Sequence, residues 1–286
     1  MKINDTLIEI QSNALGDTIG AMAVIEKYRK VTGKKITVIC NHVKLFKSSY
    51  SEIELIDKSN KHEINNREFI EKVSTTYKFN HPLLKGYAND FGINDEDIVL
   101  KVDRVRKERP IKGKYVCIGV HSTAQCKYWN YPDAWNELCK LLRKKGLTPV
   151  CVERDWTFGI PGHMNEVPNK SVKKIGMNFD DVINHIQHAE LFIGLSSGLS
   201  WLAQGLGIPT VIISNVTSKD NEYIDDKTLR IYDESVCHGC FHKYTFDAGD
   251  WLWCPVYRND EIRRFICTKA ITPEFVIREI EKFYNI

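Results

Sequence analysis

The sequence lacks a long hydrophobic run. Apolar residues make up 43% of its 286 residues, yet nowhere do about 18 of them follow one another, as a membrane-spanning helix requires. The opening residues, MKINDTLIEI, also lack the basic start and apolar stretch of a secretory signal peptide. We therefore expect a cytoplasmic protein that does not insert into a membrane.

Net charge is also small. The 40 basic residues nearly balance the 37 acidic ones, which leaves a formal net charge of +3. Binding of nucleic acid through bulk electrostatics depends on an excess of positive charge that this composition does not supply. We therefore expect no nucleic-acid partner.

The dinucleotide-binding motif GxGxxG is missing from the first strand-to-helix loop. The pattern there predicts a strand at 7–11, a helix at 18–31 that closes at Gly33, and a strand at 35–40. This is a βαβ unit without the usual dinucleotide fingerprint, which argues against a standard dinucleotide site in this part of the chain.

Regular alternation of strands and helices returns after the basic run KERPIKGK at 107–114. The pattern there is typical of a doubly wound parallel sheet, whereas 41–110 shows only short strand candidates such as 53–56. The predicted strands are 115–120, 147–153, 191–194 and 209–213, and the predicted helices are 132–145, 179–188 and 197–206. We therefore predict an α/β protein with two Rossmann-like domains that face a ligand-binding cleft. The predicted units are 1–110, 111–236, and a C-terminal segment at 237–286 that ends in a helix.

The loop after the first strand carries a candidate general base. Residues 13–21 read NALGDTIGA, and Gly16 beside Asp17 gives the backbone freedom to turn tightly. Asp17 would lie at the mouth of the cleft, where a carboxylate can accept a proton from a substrate hydroxyl. Alternatively, Asp17 caps the following helix and does nothing else.

A second loop, HSTAQCKYWNYP at 121–132, also joins a predicted strand to a predicted helix. Ser122 and Thr123 supply hydroxyls, and Lys127 supplies a positive charge suited to a phosphate. These residues are candidates for binding a nucleotide-sugar donor, although an ordinary connecting loop can have the same composition.

Two further candidates for the donor site follow strands of the second half. Ser196, Ser197 and Gly198 form a small turn before a helix, whose free N–H groups make an anion site; Ser197 is equally suited to cap that helix. Glu153 ends the strand TPVCVE and could accept hydrogen bonds from ribose hydroxyls. A solvated strand end is the alternative for Glu153.

Four of the nine cysteines cluster in a polar C-terminal segment: Cys237, Cys240, Cys254 and Cys267. A CxxC pair with two further cysteines can supply four thiolates to one tetrahedral ion, zinc or iron. With all four positions filled by protein the site would be structural, and His238 or His242 could serve as a substitute ligand. Disulfides are the weaker explanation in a cytoplasmic chain.

Taken together, these segments resemble glycosyltransferase family 9, the bacterial heptosyltransferases. Within that family they are most similar to the autotransporter heptosyltransferases, which modify protein serines and hold iron with cysteines. The resemblance rests on NALGDTIGA, HSTAQCKYWN, GLSSGLSWLAQGLGIPTVIIS, CHGCFHKYTFDAGDWLWCPV and ICTKAITPE. Ser196 departs from the lipopolysaccharide enzymes, which carry an aspartate there.

The resemblance implies a GT-B fold and an inverting transfer of heptose from ADP-heptose to a protein or glycan hydroxyl, without a catalytic metal. It implies that Asp17 is the general base, that Lys127 neutralises the donor diphosphate, and that Ser196 to Gly198 line the donor site. The four cysteines would hold a structural iron or zinc. Assembly as a homo-oligomer is a further expectation.

Two other functions remain compatible with the sequence. A nucleotide-sugar epimerase of the same two-domain shape would need additional acid and base groups in the cleft. A non-catalytic, metal-stapled nucleotide-binding module would bind the donor without turnover when acceptors are supplied.

Overall fold

The computed structural model describes residues 5–78 and 80–284. Its strands, in chain order, are β1 (Asp5–Ile10), β2 (Lys35–Cys40), β3 (Glu54–Asp57), β4 (Glu71–Thr75), β5 (Tyr115–Ile118), β6 (Thr148–Glu153), β7 (Thr157–Ile160), β8 (His163–Glu166), β9 (Val172–Ile175), β10 (Leu191–Leu195), β11 (Thr210–Ile213) and β12 (Thr228–Ile231). Its α-helices are α1 (Leu15–Thr32), α2 (Leu83–Asp90), α3 (Ala134–Lys144), α4 (Phe179–Gln187), α5 (Gly198–Gly205), α6 (Cys240–Lys243), α7 (Ile266–Lys269) and α8 (Pro273–Tyr284). No helix within these residues has the length and apolarity to cross a membrane.

The first sheet is parallel and has the strand order β3-β2-β1-β4. Ile8 of β1 pairs with Val38 on one side and with Val73 on the other. Since the chain runs from β1 through β2 to β3 on one side and places β4 on the other, the strand order reverses between β1 and β4. The loops that follow these two strands therefore border a crevice at the carboxyl edge of the sheet.

The second sheet is parallel as well, in the order β12-β11-β10-β5-β6-β9. Here the reversal falls between β5 and β10, which are paired through Cys117 and Phe192. The loops after β5 and β10 are the two that the sequence marks as donor-binding candidates. Both sheets thus present candidate residues at the edge where ligands of such sheets bind.

Most predicted elements are confirmed, with shifts at their ends. Strand 35–40 matches β2, and α1 ends where expected, at Gly33, whose left-handed φ of 65° lets its N–H reach the Arg29 carbonyl. However, α1 begins at Leu15 and therefore includes Asp17, and α3 begins at Ala134, after Asp133 with a φ of 53°. The sequence pattern did not predict β4, α2, the antiparallel hairpin β7–β8, β9 or β12.

The two sheets are joined through the first turns of α1 and α5. A side chain on Gly16 would lie 2.8 Å from Cδ1 of Trp201, and one on Gly198 would lie 3.0 Å from Cβ of Leu15. Gly16 is therefore needed for this close approach of two helices rather than for a tight turn. One apolar cluster continues across the contact, from Ile8 in β1 to Phe192 in β10.

The C-terminal segment contributes to two different cores. Residues of α8 such as Val276 and Ile280 are fully buried against the second sheet, in the same cluster as Leu138 of α3. The cysteine-bearing stretch, residues 237–267, instead forms a small apolar cluster of its own. This cluster includes Phe241 and Trp253 and contacts the loop after β5. The division into units at 1–110, 111–236 and 237–286 stays a prediction.

Candidate active site

A cleft of about 500 Å³ lies between the carboxyl edges of the two sheets. Every residue predicted for catalysis or donor binding lines it: Asp17, Ser122, Thr123, Lys127, Glu153, Ser196, Ser197 and Gly198. These residues come from the carboxyl ends of four strands, β1, β5, β6 and β10, or from the loops and helix starts that follow them. The cleft is therefore the candidate active site, while the role of each residue stays a prediction.

Asp17 lies in the first turn of α1 and does not cap that helix. The N-cap position is Ala14, which makes no side-chain cap hydrogen bond. Instead, the Ser12 hydroxyl donates to Oδ2 of Asp17 at 2.5 Å and accepts from the Ala14 N–H at 3.2 Å. Burial raises the pKa of Asp17, while the Ser12 hydrogen bond and the charge of Lys127 partly lower it. A carboxylate that is oriented and made more basic in this way suits a general base.

Lys127 ends a 3₁₀ turn, Gln125–Lys127, in the loop after β5. Its ammonium lies 5.0 Å from the centre of the Phe241 ring and 5.9 Å from that of Phe246. Burial lowers the pKa of Lys127, while its electrostatic interactions with Cys126, Asp17 and Glu222 act in the opposite direction. The cleft thus holds a half-buried cation on the side opposite the Asp17 loop.

Glu153 is buried at the end of β6 with 8% of its surface exposed. One carboxyl oxygen, Oε1, accepts from the N–H groups of Val120 and His121, the latter at 2.8 Å. Burial raises the pKa of Glu153 to about 7, although these two backbone hydrogen bonds oppose the shift. Glu153 is therefore anchored on one oxygen rather than being a solvated strand end.

The two serine hydroxyls in the turn between β10 and α5, those of Ser196 and Ser197, have different hydrogen-bonding environments. Ser197 occupies the N-cap position of α5, yet its side chain makes no cap hydrogen bond. Ser196 is 7% exposed, and its hydroxyl donates to Oε1 of Glu222. The N-terminus of α5 thus lies beside the cleft, which is the position that an anion-binding helix start requires.

Behind this turn lies a buried ion pair that no sequence motif indicates. Glu222 and Arg230 contact each other with side chains that are 0% and 6% exposed. Arg230 also donates to the Thr217 hydroxyl at 2.6 Å, and Glu222 accepts from the Asn221 amide at 2.9 Å. Since Ser196, Thr217 and Asn221 line the cleft, the pair orients three polar groups of its wall.

A hydrogen bond also crosses the cleft between the two halves of the chain. Tyr77, which follows β4, donates from its hydroxyl to Oδ1 of Asn221 at 3.1 Å. Neither residue was a sequence candidate, because a tyrosine after a short polar strand and an asparagine in a long loop carry no motif. Only the switch-point position of the loop after β4 could have pointed to Tyr77.

The four C-terminal cysteines lie near one another as free thiols, and none of the nine cysteines forms a disulfide. A hydrogen bond with Cys267 lowers the pKa of Cys237, and burial raises that of Cys240 to about 11, with Cys237 and Cys254 adding to the shift. A fifth thiol, that of Cys126 in the loop after β5, lies close enough to Cys254 and Cys240 to interact with them electrostatically.

Clustered free thiols are the donor type that zinc and iron prefer, so the donor set fits the expected ion. As they stand, however, the residues at 5–78 and 80–284 contain no group of three or more Cys, His, Asp or Glu side chains that could hold a metal ion. The metal-stapled segment is therefore not established by this fold.

Comparison with known proteins identifies relatives along the whole chain. The sequence is 30% identical over 306 aligned residues to the autotransporter heptosyltransferase Aah of Escherichia coli, covering 100% of this chain and 75% of Aah. It is 25% identical to a protein of Burkholderia thailandensis, BimC, named an inactive autotransporter heptosyltransferase, covering 98% of this chain and 69% of BimC. No family model matches the chain.

Solved structures show the same fold. TibC of enterotoxigenic Escherichia coli, described as an iron-containing dodecameric glycosyltransferase, matches with a TM-score of 0.89 at 26% identity, over 100% of this chain and 78% of TibC. TibC in complex with ADP-D-β-D-heptose gives a TM-score of 0.90 at 25% identity, over 100% and 77%. The lipopolysaccharide heptosyltransferase II of Escherichia coli shares the fold at a TM-score of 0.63 and 13% identity, over 97% and 98%.

The resemblance inferred from the sequence motifs is thus confirmed, and so is the α/β architecture of two parallel sheets that glycosyltransferases of this type share. Full coverage of the chain at 30% identity to Aah, together with the match to TibC, places it in a named group of glycosyltransferases. The chain belongs to the autotransporter heptosyltransferase family.

Proposed function

We propose that this chain transfers heptose from ADP-heptose to the hydroxyl of a protein serine or threonine, with inversion at the anomeric carbon. The observation that carries the proposal is the convergence of a basic carboxylate, a cation and a helix N-terminus on one cleft of about 500 Å³. TibC, whose fold this chain shares, binds ADP-D-β-D-heptose.

The donor would lie on the second sheet. Lys127 and the N–H groups at the start of α5 would face the diphosphate, and Glu153 would accept hydrogen bonds from the ribose. As the bond between C1 of the sugar and the diphosphate breaks, its electron pair leaves with ADP. Fixed positive groups that stabilise this developing charge lower the barrier.

The acceptor would approach from the Asp17 side of the cleft. Its oxygen forms the new bond to C1 while Asp17 removes the hydroxyl proton, so that attack on the face opposite the leaving ADP inverts the anomeric configuration. Ser12 holds Oδ2 of Asp17 by a 2.5 Å hydrogen bond, which leaves Oδ1 to accept that proton.

The four cysteines would hold a structural iron or zinc ion, outside the reaction. The presence of four neighbouring free thiols supports this, as does the description of TibC as iron-containing. Such an ion would crosslink a loop-rich stretch whose only helices before α8 are the four-residue α6 and α7. TibC is also described as dodecameric, and we expect this chain to form a homo-oligomer.

The direct test is transfer by the purified chain, with release of ADP and the mass of the acceptor protein as readouts. Asp17→Asn should lower kcat by a factor of about 10² or more and leave the affinity for ADP within about twofold. The matched control is Asp180→Asn, because Asp180 is an exposed aspartate in the first turn of α4. Near-normal turnover of Asp17→Asn would contradict the assigned base.

A non-catalytic module is the alternative that the transfer assay must separate from an enzyme, and one relative, BimC, is named an inactive autotransporter heptosyltransferase. It predicts that the chain binds ADP-heptose but releases no ADP with any acceptor. Conversion of the donor to another sugar nucleotide without an acceptor would instead indicate an epimerase.

A further inference from the structure

The ammonium of Lys127 is held by aromatic rings rather than by an acceptor. Its Nζ lies 5.0 Å from the Phe241 centroid and 5.9 Å from the Phe246 centroid. Among the residues that the structure describes, none accepts a hydrogen bond from this ammonium or forms an ion pair with it. Its three N–H donors are therefore not used up within the described part of the protein.

Both rings come from the cysteine-bearing stretch. Phe241 follows Cys240 directly, is 3% exposed, and donates its backbone N–H to the Val216 carbonyl at 2.9 Å. The centroids of Phe241 and Phe246 are 4.7 Å apart, and Phe246 packs edge-on against Trp253 at 5.2 Å. The rings are thus fixed by packing among residues that surround the cysteines.

The Lys127 loop is fastened to the same stretch from its other side. The Gln125 N–H donates to the Trp251 carbonyl at 3.0 Å, and the Trp251 indole N–H donates to the Gln125 side chain at 3.2 Å. Two residues before Lys127, then, the loop is bound to the segment that also supplies the rings. The position of Lys127 in the cleft therefore depends on the cysteine-bearing stretch.

An aromatic face attracts a cation without neutralising it. A carboxylate in the same place would compete with an incoming diphosphate for the ammonium, whereas a ring leaves the N–H donors available. Packing on rings also fixes a long, flexible side chain, so less conformational entropy is lost when the anion binds.

We propose that Phe241, with Phe246 beside it, is a positioning residue that holds the Lys127 ammonium toward the nucleoside diphosphate of the donor. The cysteine-bearing stretch is then a wall of the donor site as well as a metal-binding element. This inference rests on the proposed function, because it takes Lys127 to be the diphosphate ligand.

The test is a double-mutant cycle on ADP binding by calorimetry, with the metal-loaded full chain. Phe241→Leu keeps apolar volume but removes the ring face, and it should weaken ADP binding roughly three- to tenfold. In a Lys127→Ala background the same change should have no further effect. Phe241→Tyr, which keeps the ring, should stay within about twofold of the parent. The sulfur-bound metal content should equal that of the parent in each variant.

Phe265→Leu is the matched control, because Phe265 is a 5% exposed ring in the same cluster that makes no cation–π contact with Lys127. It should leave ADP affinity unchanged. If Phe241→Leu does not fold, Phe246→Leu serves in its place, with a smaller effect that also disappears without Lys127.

The outcomes separate this inference from the proposed function. Unchanged ADP affinity in Lys127→Ala would overturn the donor site itself. A large effect of Lys127→Ala with none for Phe241→Leu or Phe246→Leu would overturn the positioning role alone. An equal loss for Phe241→Leu with and without Lys127 would show that the ring acts through another group, which would also overturn it.

Discussion

Replacing Glu153 by glutamine should make the protein more stable at neutral and alkaline pH. The wild-type carboxyl is buried, and burial raises its pKa from 4.5 to about 7. The folded protein therefore binds this proton more tightly than the unfolded chain does. Protonation of Glu153 therefore favours folding. Its stabilising contribution to the free energy of unfolding is fully present below pH 4.5 and is lost as the pH rises through about 7.

The size of the effect follows from the shift. At about 1.4 kcal/mol for each pH unit, the ionised carboxylate above pH 7 lowers the free energy of unfolding by about 3 kcal/mol. Glutamine is neutral at every pH, and its amide oxygen can still accept from the N–H groups of Val120 and His121. Glu153→Gln should therefore be up to about 3 kcal/mol more stable at pH 8, and the difference should disappear toward pH 4.5.

Urea denaturation of both proteins at several values between pH 5 and 8 measures this difference directly. The control is Glu166→Gln, since Glu166 is an exposed glutamate in β8. A difference that does not change with pH, or a variant that is less stable at pH 8, would refute the reasoning. In the wild type, ADP binding should weaken as the pH falls below about 7, because a protonated Glu153 is a poorer acceptor for ribose hydroxyls.

Two further predictions concern the groups around the cleft. Cys254→Ser should release the metal ion and lower the melting temperature. The control Cys139→Ala, in α3, should keep the metal ion. Elemental analysis that finds neither iron nor zinc in active wild-type protein would contradict a structural metal site. Arg230→Met should lower the free energy of unfolding by about 3–5 kcal/mol, because it leaves Glu222 buried and unpaired. The control Arg67→Met breaks an exposed ion pair with Glu54 and should lower it by less than about 1 kcal/mol. Equal losses for the two variants in chemical denaturation would contradict this prediction.

The sequence predicts the parts of the fold that depend on local pattern. Strand β2 is recognisable because the β-branched and apolar run ITVIC follows Lys35, and α1 ends at Gly33 because a left-handed residue there stops a helix. The start of α1 was missed because Ala14 is a poor capping residue and gives no signal. Strand β4 was missed because EKVST alternates partly exposed polar residues on a short edge strand.

The candidate site was predictable where a loop follows a strand. All eight predicted residues line one cleft because they lie at the carboxyl ends of parallel strands or in the loops and helix starts that follow them. What the sequence could not supply is contact between distant segments. The ion pair of Glu222 and Arg230, the Tyr77 hydrogen bond to Asn221 and the ring of Phe241 over Lys127 all depend on tertiary packing.

The contact between the first turns of α1 and α5 has a consequence for building chimaeras from this family. Leu15 and Gly16 on one side face Gly198 and Trp201 on the other with no room for an added methyl group. A hybrid that took the half with the first sheet from one relative and the half with the second sheet from another would join two surfaces that were not selected together. Recombination inside this family should therefore succeed only when both helix starts are exchanged as a set.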